Sequence, residues 1–145
     1  MSGSRPPLHR PLLVVAWLLP LGILVQAALA GQAWFVSPEL MGLHGGVGHG
    51  VLTLAVLTVV LSAAALRFHG VTVLSVLLLI GLAGQTGLGY AGHRSGLVMA
   101  SSLHVPMGVA LLGLSVAMAV LVSVHGRVSA GVGDGQVGRD TEVGA

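Results

Sequence analysis

Two histidines occupy matching places in a duplicated pattern. Leu43-His44-x-x-x-Gly48 returns as Leu103-His104-x-x-x-Gly108, each time where a long apolar run begins. Upstream, Gln26-x-x-Leu29-Ala30 is echoed by Gln85-x-x-Leu88-Gly89. Gln26 to His44 is 18 positions and Gln85 to His104 is 19, so the spacing reads as one two-helix unit used twice. That repeat sets one imidazole at the same depth on each of two helices, and these helices are expected to be adjacent. Two neutral imidazoles facing each other inside a helical bundle can ligate a haem b iron from opposite faces, which suits electron transfer. His44 and His104 are therefore the expected axial ligands. Gly48 and Gly108 each lie four residues beyond a histidine, one turn deeper on the same helix face, where a small residue would leave room for the macrocycle edge. Arg94 is placed to meet a propionate through a charge-assisted hydrogen bond. Val51, Leu54, Ala55, Leu111, Leu112 and Ser115 would line the apolar body of the pocket.

The same residues have plainer readings. Gly42, Gly46 and Gly50 keep the small-x-x-x-small spacing of a helix-packing face. A lone histidine at a helix end is ordinarily an interfacial residue. Gln26 and Gln85 read first as buried amides bonded between helices, and Gln85 second as a cofactor contact. His49 falls on a different face of its helix from His44. It is the alternative ligand, together with His93. A transition-metal site built from His44, His49, His93 and His104 is a further option, since imidazole suits zinc, copper and nickel. His9, His69 and His125 read as ordinary interfacial residues of the opposite, cytoplasmic end.

The elements that must carry these residues follow from composition. The chain has 145 residues, which bounds it to one domain. It is 54% hydrophobic and 7% charged, with a mean hydropathy of +0.98, so lipid rather than water is its natural solvent. With no cysteine, disulfides, thiolate metal sites and iron–sulfur clusters are excluded. Four apolar runs, at about 12–33, 44–66, 71–91 and 103–124, each approach the ~20 residues that cross a bilayer. Such runs must satisfy their own backbone and so read as helices. The expected fold is an all-α integral membrane four-helix bundle made of two similar hairpins. Arg5, Arg10, Arg67, Arg127 and Arg139 fall on one side of that plan and Arg94 alone on the other, which places both termini in the cytoplasm. Residues 1–11 form a short cytoplasmic segment. Residues 125–145, rich in glycine and polar side chains, are expected to be a disordered cytoplasmic tail. Ala28-Leu29-Ala30 before Gly31 has the form of a signal cleavage site, but the first run is longer than a signal core, so an uncleaved first span is expected.

The stretch Gly84-Gln85-Thr86-Gly87-Leu88-Gly89, a short loop, and then Leu103-His104-Val105-Pro106-Met107-Gly108 resembles one four-helix half of haem A synthase. The resemblance implies a haem between the second and fourth helices, held by His44 and His104. The catalytic half of that family carries Glu-x-x-His-Arg. Here Met41 and Gly45 stand at the acidic and basic positions, so the likeness is to the non-catalytic, haem-b-binding half. The run Gln26 to Gly31 also resembles small four-span bacterial membrane proteins of unknown function. Three functions follow as expectations. The first is a haem b electron-transfer protein of the bacterial cytoplasmic membrane. The second is a cofactor-free structural or accessory subunit. The third is a half-size haem A synthase-like protein. Expected partners are the bilayer, a quinone or a redox protein, and a second copy or a larger membrane complex; nothing points to nucleic acid. No catalytic residue is assigned. The apolar runs hold no Asp or Glu, and no hydrolase or phosphate-loop motif is present.

Overall fold

A computed structural model describes the backbone of residues 8–65 and 69–142 and the side chains of 8–65 and 70–125. Four helices account for nearly all of it: α1 His9–Phe35, α2 Leu40–Ala65, α3 His69–Ser95 and α4 Val98–Glu142. Among the described residues there is no strand. The fold is all-α, as composition requires. Each helix carries one of the four apolar runs; α1, α3 and α4 extend past theirs at both ends, while residue 66, the last of the second run, lies outside the described residues. The stretches His9–Phe35, Leu40–Ala65, Gly70–Ser95 and Val98–His125 are all long and apolar enough to cross a bilayer. The trace of α4 runs on to Glu142, across most of the segment expected to lack regular structure, while the described side chains end at His125. Arg5 and Arg67, and the side chains of His69, Arg127 and Arg139, lie outside the described residues.

Local chemistry sets the ends. The last turn of α1 closes with Val36 and Ser37 N–H groups both donating to the Gln32 carbonyl, at 2.9 and 3.0 Å. Pro38 then follows, and the residue before a proline is pushed out of helical geometry. The α3–α4 joint is shorter still. Gly96 turns at φ +63°, a left-handed conformation that glycine adopts without steric cost. We call the end bearing these two joints the hairpin end.

Packing follows a ring. Helix α1 touches α2 and α4, and α3 touches α2 and α4, while α1 and α3, like α2 and α4, are diagonal. The buried positions explain why the two hairpins match. Helix α1 buries Leu12, Ala16, Leu19 and Ile23; α3 contributes Val71, Ser75, Leu78 and Leu82. Helix α2 buries Val51, Ala55, Thr58 and Ser62; α4 does so with Leu111, Ser115, Met118 and Val122. Every set has the same four-three-four spacing, the period of a seam between helices. The duplication first visible in a few histidines and glutamines thus runs the length of the bundle. Buried hydroxyls are satisfied locally: Thr58 donates to Leu54 O at 2.8 Å, Ser115 to Leu112 O at 2.7 Å, and Ser75 to Val71 O at 2.8 Å. Val51, Ala55, Leu111 and Ser115 lie in this core. At the opposite end His9, expected at an interface, is buried, and its Nε2–H donates to Val122 O at 3.3 Å, tying α1 to α4.

Candidate functional site

Continued toward the hairpin end, each seam reaches a polar layer. On α1 and α3 the next positions after Ile23 and Leu82 at seam spacing are Gln26 and Gln85, then Ala30 and Gly89. On α2 and α4 they are Gly48 and Gly108, then His44 and His104. Seam position is what turns both imidazoles inward. Their ring centroids lie 6.4 Å apart with planes at 63°. The sequence reading needed these histidines on neighbouring helices. The structure corrects this: α2 and α4 are diagonal, and the rings meet across the centre of the bundle.

Each imidazole is pinned by its own hairpin. His44 Nδ1 bonds the Gln26 carbonyl at 3.0 Å, and His104 Nδ1 bonds the Gln85 carbonyl at 3.1 Å. A carbonyl only accepts, so each Nδ1 carries the proton and each Nε2 keeps the lone pair that a metal would need. The Gln85 amide returns the contact, Nε2 donating to His104 O at 2.6 Å. This is the interhelical amide bond expected of Gln85.

The glycines have a different task from the one read in the sequence. A Cβ on Gly48 would lie 2.5 Å from Gln26 Nε2, and one on Gly108 would lie 3.1 Å from Gln85 Nε2. The space beside them is therefore taken by the glutamine amides, not left for a ring edge. Gly89, whose part went unrecognised, lets the His104 ring lie against α3: a Cβ there would be 3.1 Å from His104 Cε1. Its seam spacing from Gln85 is the signal that could have found it. The side-chain oxygens of Gln26 and Gln85 are buried and have no hydrogen-bond partner among the described residues. Buried amide oxygens are normally paired.

The other candidates lie elsewhere. His49 is exposed on the α2–α3 flank, with Nδ1 bonded to Gly45 O of its own helix at 2.8 Å. Arg94 stacks on the Tyr90 ring, 5.0 Å from its centroid, rather than reaching between the histidines. His93 is exposed in the last turn of α3. Among the described residues no three of His, Cys, Asp or Glu gather to hold a metal ion, so the four-histidine site is not assembled. The outward row Gly42, Gly46 and Gly50 is exposed, and a Cβ on any of them would meet nothing within 4 Å. That row is not used for packing within the chain. No family model, curated protein or solved structure matches the chain.

Proposed function

We propose that this chain is a small integral membrane protein that holds haem b between α2 and α4 for electron transfer. The observation that carries the reading is the central histidine pair, with both Nδ1 atoms committed to carbonyls and the centroids 6.4 Å apart. Two imidazoles bound to one metal from opposite sides, each nitrogen about 2 Å from it, place their centroids about 6 Å apart. The spacing suits a shared iron. Carbonyl bonds to Nδ1 are the outer contacts that orient metal-ligating histidines and raise their basicity. When bound, haem b would supply a one-electron iron couple. The residues' own part is to hold the imidazoles in one tautomer, exclude water through the apolar layers of Val51 and Leu111, and keep α3 slim beside the His104 ring at Gly89. The unpartnered oxygens of Gln26 and Gln85 add acceptors at the same level.

The outward surface supports insertion in a bilayer. Leu21, Leu24, Val60, Ile80 and Val109 are each more than half exposed, which water would oppose and lipid would not. Helices of 26 and 27 residues span roughly 40 Å, enough for the ~30 Å hydrocarbon core. Arginine placement argues for both termini on the cytoplasmic side, and the resemblance at residues 26–31 is what favours a bacterial cytoplasmic membrane. Met41 and Gly45 argue against oxidative chemistry on a haem methyl group, so the likeness to haem A synthase is taken only as far as haem holding.

The test is an absorption spectrum of detergent-purified protein supplied with haem, oxidised and then reduced with dithionite. A Soret band with sharp reduced α and β bands, lost in both His44→Ala and His104→Ala, is the expected result. A wild type that stays colourless overturns the reading in favour of a cofactor-free subunit, for which the exposed glycine row of α2 would be the packing face.

A further inference from the structure

The duplication does not extend to three neighbouring residues on one flank. By the repeat that relates His44 to His104 and Gln26 to Gln85, the counterparts of His49, Tyr90 and Arg94 are Val109, Gly31 and Phe35. One flank of the bundle, between α2 and α3 near the hairpin end, therefore carries a polar trio that the other flank lacks. Tyr90 and His49 rings stand edge to face at 6.4 Å, and Arg94 lies over the Tyr90 ring at 5.0 Å. All three are exposed. His49 is nine residues into α2, about 13 Å along it, so in a bilayer it faces lipid inside the hydrocarbon. An ionisable group there is a functional candidate by default.

The hydrogen bonds state what it would receive. His49 Nδ1 donates to Gly45 O at 2.8 Å, so Nε2 is the outward acceptor. Among the described residues its one hydrogen-bonding neighbour is the Tyr90 hydroxyl at 3.5 Å, beyond the normal range of an O–H···N bond. The flank thus offers an unsaturated acceptor, a phenol hydroxyl and a cation stacked on an aromatic face. Beside them Gly45, Gly46 and Gly87 leave open space where side chains would otherwise stand. A phosphate head presents only acceptors to His49 and suits Arg94 alone. A ring hydroxyl suits His49, and the ring itself suits the aromatic and glycine surroundings.

We infer that this flank binds the hydroxylated head of a membrane-dissolved quinol, with His49 Nε2 accepting from a ring hydroxyl and Tyr90 and Arg94 closing around the head. The inference rests on the membrane-spanning reading of the bundle and does not require haem. The bound ring would stand beside the central histidines, not between them.

The experiment measures equilibrium binding of decylubiquinol, and of its dimethyl ether, to the full chain in phosphatidylcholine nanodiscs. Wild type should bind the quinol saturably and the ether at least roughly tenfold more weakly, the loss of one hydrogen bond. His49→Leu should lose the preference, and Tyr90→Phe should weaken it. His104→Ala should keep quinol binding while losing any haem bands, so failure of the haem reading is separable from failure of this one. Circular dichroism confirms that each variant keeps its helices. Equal, non-saturable partition of quinol and ether, or His49→Leu binding like wild type, overturns the inference. Displacement of the quinol by phosphatidylglycerol would also overturn it, assigning the flank to a lipid headgroup.

Discussion

His44 and His104 are set apart by where their protons go. His49 and His125 bond back to carbonyls of their own helix, four residues earlier. His44 and His104 instead reach a neighbouring helix, and that bond decides which nitrogen faces the bundle centre. The arrangement depends on glycine one turn deeper, because the glutamine amide occupies the place of a Cβ. Gly48→Ala should therefore cost about 1–3 kcal/mol, with Gly108→Ala costing less, since its contact is 3.1 Å against 2.5 Å. Unfolding in mixed detergent–SDS micelles, followed by helicity, checks the order. Equal stability of Gly48→Ala and wild type would mean that the amide moves away freely and the clasp is not tight. The pairing of histidine with glycine was legible in the sequence. Its reason was not, because the group that fills the space comes from another helix.

At the scale of the helix, glycine position separates two roles that sequence spacing merges. Gly22 and Gly81 occupy equivalent places in α1 and α3, and a Cβ there would come within 2.9 Å of Val51 Cγ2 and 2.5 Å of Leu111 Cδ2. Gly22→Ala should destabilise by about 1–3 kcal/mol, because β-branched valine is stiff at χ1 and cannot yield easily. Gly46→Ala should leave the single chain as stable as wild type, or better by up to ~1 kcal/mol from reduced backbone freedom. The two variants can be compared in the same SDS titration, with analytical ultracentrifugation added for Gly46→Ala. Loss of an oligomer at unchanged helicity would assign the Gly42–Gly46–Gly50 row to contact between chains. Unchanged stability of Gly22→Ala would contradict the α1–α2 packing described here.

The whole molecule makes a prediction about sidedness. The chain has no cysteine, so one introduced thiol is unique. Ser37 lies in the α1–α2 joint and Ala64 is exposed near the far end of α2. In intact cells an impermeant maleimide should label Ser37→Cys, while Ala64→Cys should need permeabilised membranes. The reverse pattern would place the termini outside and discard the arginine argument.

Composition and hydropathy determined that this chain is four apolar helices, because each helix satisfies its own backbone and its length is written in consecutive residues; the repeated glutamine–histidine spacing paired them as two similar hairpins. The four-three-four seam was also present in the sequence, though only the histidines and glutamines at its end stood out from the apolar residues along it. Tertiary structure decided the rest. It made α2 and α4 diagonal rather than adjacent, filled the glycine spaces with Gln26 and Gln85, and sent His49 and Arg94 to a flank with Tyr90. Those outcomes depend on which helix faces which, a relation between residues far apart in the chain that no local pattern encodes.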